Sequence, residues 1–241
     1  MSNTIVEVED LTMAYQEQPV LWDIDVKIMK GSRTAIIGPN GAGKSTLIKG
    51  ILELEKPLSG RVSIMGTNFD AIKNKVAYIP QASEVNWDFP TTVEDVVLMG
   101  RYVHLGWIKR PRKIDYEKTH QALKEIGIYE YKDRQISQLS GGQRQRVFIA
   151  RAIAQEAEIY FMDEPLAGVD KRTEKIFIDF VKRIQQKGHT SIVVHHDLNT
   201  IKQYFDHVII LNKRLIAAGP TEEVFVHDNL VKANMTWGGE I

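Results

Sequence analysis

The chain reads as an α/β protein, a sheet with parallel strands flanked by helices, with an antiparallel β region at its start and a helical insertion in its middle. Three observations predict this. Short apolar strand patterns alternate with helical patterns on both sides of the centre, the rhythm of a parallel sheet. From about Glu84 to Glu156, helical patterns dominate instead. A glycine-rich turn around Asn40 joins a short apolar strand to a helix, the junction where open sheets hold ligands.

Taken in order, Val20, Trp22, Ile24, Val26 and Ile28 alternate with Leu21, Asp23, Asp25 and Lys27, a strand of period two. This phase puts Trp22 in the core. Arg33–Ile37 is a short buried strand, and a helix follows from about Lys44 to Leu54, ending before Pro57. Strands are predicted at Arg61–Met65 and Lys75–Ile79, then helices at Thr92–Tyr102, Tyr116–Ile126 and Gly142–Gln155. Between the first two of these helices, Lys109-Arg110-Pro111-Arg112-Lys113 is a proline-broken basic run, read as a solvated loop in preference to a lipid or partner contact. Strand–helix alternation returns with Glu158–Met162, Lys171–Gln186, Thr190–His195 and Leu198–Tyr204. His207–Leu211 and Arg214–Ala218 can pair as a hairpin around Asn212-Lys213, a turn without the usual glycine.

The 241 residues suit one domain of 1–241, a core of 1–83 and 157–241 carrying a helical subdomain of about 84–156. Composition is ordinary for a globular chain, 43% hydrophobic and 26% charged. Lys+Arg and Asp+Glu both number 31, so no net field draws the chain to nucleic acid or an anionic bilayer. There is no cysteine, which excludes disulfides and thiolate metal sites. The start lacks a basic segment followed by an apolar one, so no signal peptide is expected. No apolar run approaches the ~20 residues that span a bilayer, so a membrane role is expected to come through a partner.

Gly38-Pro39-Asn40-Gly41-Ala42-Gly43-Lys44-Ser45 matches the phosphate-binding P-loop pattern. Glycines let backbone N–H groups face the phosphates at the positive end of the next helix. Lys44 brings charge to the β- and γ-phosphates, and the Ser45 hydroxyl can complete a Mg²⁺ shell. Gly38, Asn40, Gly41, Gly43, Lys44, Ser45 and Thr46 are thus candidate nucleotide contacts. Ile159-Tyr160-Phe161-Met162 is an apolar run ending in Asp163-Glu164-Pro165, the look of a buried parallel strand that delivers acids to the ligand edge. Asp163 would hold Mg²⁺ through water, and Glu164 would orient or deprotonate the attacking water.

Leu139-Ser140-Gly141-Gly142-Gln143 opens an amphipathic helix, a second anion cradle. With Arg144-Gln145-Arg146 after it, and lying between the P-loop and the acidic strand, it resembles the signature of ABC-type ATPases. The resemblance covers nearly the whole chain and implies a P-loop NTPase fold of the ABC nucleotide-binding type, with ATP and Mg²⁺ as ligands. It implies further roles. Tyr15 resembles the aromatic that stacks on adenine, Trp22 being set aside as a core residue. Gln81 resembles the glutamine that senses Mg²⁺ and the γ-phosphate and faces the transport subunit. Asp170, in Leu166-Ala167-Gly168-Val169-Asp170, resembles the aspartate that communicates across the dimer, although the loop departs from the commonest Ser-Ala-Leu-Asp wording. His196 resembles the switch histidine on the γ-phosphate. In His195-His196-Asp197 adjacent side chains point to opposite faces, so a packed or hydrogen-bonded His195 is expected over a shared metal ion. In such a family the P-loop of one subunit and Ser140, Gly141, Gly142 and Gln143 of the other sandwich each ATP.

Glu84–Pro90, Met99-Gly100-Arg101-Tyr102, Gly106-Trp107 and Val194–Leu198 together resemble the ATPase subunits of bacterial divalent-metal importers, nearest the manganese branch, with zinc and iron as siblings. That implies a homodimer on the cytoplasmic face of the plasma membrane, bound to integral permease subunits and served indirectly by an extracellular metal-binding protein. Trp87 and Phe89 either line a groove for a permease helix or pack within the helical subdomain. The alternatives are a zinc or iron importer, and a soluble ABC ATPase of an assembly pathway such as iron–sulfur cluster biogenesis. The Trp237-Gly238-Gly239 tail carries no assignable chemistry.

Overall fold

The structure, a computed structural model, describes residues 3–15, 18–105 and 109–236; Gly106-Trp107 and Trp237-Gly238-Gly239 lie outside them. In chain order the elements are β1 Thr4–Tyr15, β2 Gln18–Met29, β3 Arg33–Ile37, α1 Lys44–Ile51, β4 Ser59–Ile64, α2 Phe69–Ile72, β5 Val76–Ile79, α3 Val93–Leu98, α4 Tyr102–Leu105, α5 Lys113–Glu125, α6 Gly141–Gln155, β6 Ile159–Met162, α7 Lys171–Gln186, β7 Thr190–Val194, α8 Ile201–Tyr204, β8 His207–Leu211, β9 Leu215–Pro220, α9 Thr221–Val224 and α10 His227–Lys232. They fall into two compact units, one of 1–72 with 184–241, the other of 73–183.

In the first unit, β1, β2 and β4 form an antiparallel three-stranded sheet in the order β2-β1-β4. A mixed set runs β7-β3-β8-β9, parallel from β7 to β8 and antiparallel at β9. In β3, Thr34 to Ile37 are all buried, which is why it reads as a continuous apolar run.

The alternation in β2 does not run through as its period suggests. Leu21 is fully buried and Trp22 is 42% exposed, so Trp22 is not a core residue. The cause is a bulge. Leu11 pairs with Ile24 but Met13 pairs with Leu21, so β2 spends three residues where β1 spends two. Asp23 takes up the extra residue at φ 53°, so Leu21 and not Trp22 turns to the core.

The β8–β9 hairpin also turns without glycine. Lys213 adopts φ 59° and is held there from outside: its N–H donates to Ala42 O at 3.0 Å and its carbonyl accepts from Trp22 N–H at 2.9 Å. Two bonds to fixed neighbours outweigh the cost of about 1–2 kcal/mol for one left-handed residue.

In the second unit β5 and β6 pair in parallel, and α3, α5 and α6 pack together. The helix predicted over Thr92–Tyr102 starts on a capping box between Thr92 and Asp95 but is not continuous. It becomes a 3₁₀ turn at Met99–Arg101 before α4. A Cβ on Gly100 would stand 2.4 Å from Arg151 O, so the α6 backbone approaches there too closely for a side chain. Next to it Arg101 is buried, donating to Asp115 Oδ1 at 3.3 Å, Ala154 O at 2.7 Å and Glu156 Oε2 at 2.8 Å. One guanidinium thus joins the starts of α4 and α5 to the end of α6.

Candidate active site

The glycine-rich loop leaves the C-terminal end of β3 and enters α1. Gly41 and Gly43 stand at φ 77° and 92°, where an L side chain is strained. A Cβ on Gly43 would fall 2.4 Å from Leu21 Cδ2, while one on Gly41 would meet nothing within 4 Å. The loop is therefore packed from behind and open in front, with the exposed Asn40 at its tip. No acidic residue lies in the first turn of α1, so its N–H groups keep their positive end for an anion. Lys44 is buried, its Nζ donating to Gly38 O and Pro39 O, each at 3.0 Å. Ser45 is half-buried and Thr46 buried. Tyr15 is 43% exposed, and its hydroxyl interacts with the side chains of Glu55 and Thr46. Burial, and then the Glu55 hydrogen bond, raise its pKa.

His196 reaches the same edge. The register pairs Ile36 with Val194 in parallel, so Gly38 and His196 are each two residues past a paired position on neighbouring strands. His195 is buried and bonded to Thr200, while His196 beside it is exposed.

The second unit repeats this device. Ile79 pairs with Met162, so Gln81 and Glu164 also lie two residues past a paired position. They meet: Gln81 Nε2 donates to Glu164 Oε2 at 2.8 Å. Glu164 adopts φ 48°, a backbone state uncommon for a side-chain-bearing residue. Asp163 is fully buried, and its N–H donates to Ile79 O at 2.9 Å.

Ser140 caps α6 through a reciprocal box. Its hydroxyl accepts from Gln143 N–H at 3.4 Å, and its own N–H donates to Gln143 Oε1 at 2.9 Å. Gly141 has open space where a Cβ would stand, whereas one on Gly142 would lie 3.1 Å from Asp170 Oδ2. Asp170 accepts from Thr173 N–H at 2.8 Å, and that bond first of all lowers its pKa. Its carboxylate thus caps the start of α7 and lies against Gly142, a contact that residue spacing did not reveal. Glu55 beside Tyr15 was also missed, because it belongs to no motif.

The two aromatics at the start of the helical stretch separate. Trp87 is half-buried, edge-on to Phe148 at 5.2 Å, under Arg144 at 5.1 Å, with its indole N–H donating to Ala82 O at 2.8 Å. Phe89 is 57% exposed.

Comparison with known proteins agrees with this geometry. The sequence pattern of the family described as ABC transporter matches residues 21–167. The chain is 52% identical, over 236 residues, to the zinc transport system ATP-binding protein of Treponema pallidum (strain Nichols), covering 98% of this chain and 88% of that protein. It is likewise 52% identical over 236 residues to the manganese transport system ATP-binding protein of Bacillus subtilis (strain 168), covering 98% and 93%. Among solved structures it resembles a nucleotide-free ATP-binding cassette of an ABC transporter, with a TM-score of 0.82 and 26% identity over 97% of this chain and 100% of that one. With a phosphate loop, an acid-tipped β6 and a capped signature helix in one chain, and relatives alike over nearly its full length, the chain belongs to the ABC transporter family, as one of its ATP-binding ATPase subunits.

Proposed function

We propose that the chain drives import of a divalent metal ion, manganese first, as a homodimer that closes on ATP beneath integral permease subunits at the cytoplasmic face of the plasma membrane. An extracellular metal-binding protein would deliver the cargo without touching this chain. The observation that carries the reading is the Gln81–Glu164 hydrogen bond, which ties a residue suited to face the permease to the carboxylate suited to prepare water. No helix among the described residues is long and apolar enough to cross a membrane, consistent with dependence on a partner. One relative named for zinc and one named for manganese are each 52% identical to the chain, so manganese rests on the segments Glu84–Pro90, Met99–Tyr102, Gly106-Trp107 and Val194–Leu198.

In this reading Tyr15 stacks on adenine, and the backbone N–H groups of Asn40, Gly41, Gly43, Lys44, Ser45 and Thr46, with Gly38 giving the loop its closed start, hold the phosphates. Lys44 exchanges the Gly38 and Pro39 carbonyls for β- and γ-phosphate oxygens. The Ser45 hydroxyl, Asp163 carboxylate and Gln81 amide are all oxygen donors and fit Mg²⁺ in type, and the full burial of Asp163 suits a carboxylate that serves a cation. Mg²⁺, when bound, neutralises charge on the β- and γ-phosphates. Glu164 orients the water that attacks the γ-phosphorus and takes its proton as the bond to the bridging oxygen breaks. His196 donates to a γ-phosphate oxygen. Ser140, Gly141, Gly142 and Gln143 offer the second cradle to the nucleotide held by the partner subunit, and Asp170, set against Gly142, passes the state of one site to the other. The helical subdomain of about 84–156 carries that cradle on the core of 1–83 and 157–241.

The test is uptake of labelled manganese, zinc and iron in cells whose sole copy carries Glu164→Gln. Loss of manganese uptake alone is expected. Selective loss of zinc or iron would change the cargo, and unchanged uptake of all three with normal expression would overturn the transport reading in favour of a soluble assembly ATPase. The exposed Phe89 with its neighbour Trp87 would grip a permease helix. Trp87→Ala/Phe89→Ala is expected to weaken permease co-purification on the order of tenfold while ATP hydrolysis by the free chain persists. Normal assembly in that variant would retire the groove.

A further inference from the structure

The loop between β7 and α8 is closed on itself from inside. His195 is 5% exposed, with its ring 5.2 Å from that of Phe205 and its backbone N–H donating to Ile36 O at 3.1 Å. Its Nε2 lies 2.7 Å from Thr200 Oγ1, and the same hydroxyl donates to Asp197 O at 3.0 Å. A threonine hydroxyl has one proton. Both bonds are therefore made at once only if His195 donates through Nε2–H and Thr200 passes its own proton to Asp197 O. The Asp197 carboxylate in turn accepts from Asn199 N–H at 3.0 Å. Residues 195–200 thus form a ring of bonds, pinned to β3 at one end, from which the His196 side chain stands exposed.

We propose that His195 and Thr200 are positioning residues for His196, holding its backbone so that the ring meets the γ-phosphate without a search at each turnover. The inference rests on the reading of His196 as the γ-phosphate contact. The chemistry of the pair suits a fixed brace. Burial above all drives the His195 pKa down, to about 4, so the ring is neutral at physiological pH and keeps one donor and one acceptor nitrogen. A charged ring would lose that tautomer. A mobile His196 would still contact phosphate, but only in a fraction of encounters, and the rate of the chemical step would fall by that fraction. ATP affinity, set by the phosphate loop and Tyr15, would not.

The test uses the purified full chain with ATP and Mg²⁺. Thr200→Val keeps the side-chain shape and removes both hydroxyl bonds; Thr200→Ser keeps them. His195→Phe keeps a ring against Phe205 and loses the donor, a second route to the same break. Thr200→Val and His195→Phe are each expected to lower kcat about tenfold, with KM for ATP within about twofold of the parent, and Thr200→Ser to stay within about twofold on both. Combined with His196→Ala, Thr200→Val should add no further loss, because the group it positions is gone. A parental kcat in folded Thr200→Val, or losses that multiply in the double variant, would overturn the proposal. If His196→Ala alone leaves kcat unchanged, the reading of His196 itself fails, which is a distinct result from failure of the brace.

Discussion

Glu164→Gln is expected to cut ATP hydrolysis by about 10²–10⁴-fold, the usual worth of a positioned proton acceptor, while ATP binding is retained. The replacement is nearly isosteric. Its carbonyl oxygen can still accept from Gln81 Nε2, the 2.8 Å bond that orients the native carboxylate, and the local backbone at φ 48° has no reason to change. What is lost is the negative charge and with it the ability to take a proton from water. The same loss removes repulsion between Glu164 and the γ-phosphate. The variant should therefore persist in the closed dimer that, in the proposed cycle, opens on hydrolysis. Sedimentation velocity with ATP and Mg²⁺ should show a dimer, returning to monomer when nucleotide is withdrawn. A species that stays monomeric with ATP and Mg²⁺ would reject the sandwich arrangement.

The second large effect concerns stability. Arg101→Met is expected to destabilise the helical part of the second unit by about 3–5 kcal/mol, because it strands a buried carboxylate that has lost its countercharge. Arg101 and Asp115 have side chains only 7% and 4% exposed, and the guanidinium also serves Ala154 O and Glu156. At roughly 2–4 °C per kcal/mol for a chain of this size, the melting temperature should fall by roughly 6–20 °C. Replacing both partners, Arg101→Met with Asp115→Leu, should recover a large part of that loss, since an apolar pair leaves no buried charge. A double variant no better than the single one would assign the loss to packing.

The pair also fixes a pH dependence. The backbone N–H of Arg112, and after it the Arg101 guanidinium, hold the Asp115 pKa below its ordinary value, against burial, which raises it. A carboxylate whose folded pKa is depressed adds stability that is complete above its unfolded value, near pH ~4, and is lost as pH falls through the folded value. Urea midpoints measured downward from pH 5 should show a loss that Asp115→Asn reduces.

Much of this molecule is local in origin and was therefore legible. The apolar run before Asp163 is a buried strand because both of its faces are covered, as its lack of alternation implies. Ser140 and Gln143 make their capping box within four residues, and the glycines of the phosphate loop take backbone states that few other residues accept. These features depend on chemistry within one turn or one strand, so residue order alone specifies them. The family resemblance added Tyr15, Gln81, Asp170 and His196, whose individual residue types would not have distinguished them from ordinary polar or aromatic positions.

Other features depended on residues far apart in the chain. Trp22 breaks the alternation because β1 and β2 pair with a bulge at Asp23, and a period-two pattern carries no information about where an extra residue is absorbed. Lys213 turns the last hairpin because Ala42 and Trp22 hold its backbone. The helix at Thr92 yields at Gly100 because Arg151 O stands where a side chain would go. Asp170, which caps the start of α7, meets Gly142 at the start of α6, a contact between residues distant in the chain. The sequence by itself determined which strands are buried, where the glycine turn and the capped helix start lie and which acids stand at the strand ends, since each follows from neighbours along the chain. Only the tertiary structure decided register, the positions where regular elements break, and which polar groups bond to which. Those are settled by contacts between segments tens to hundreds of residues apart, where the free energy of one hydrogen bond or one close approach outweighs a local preference of similar size.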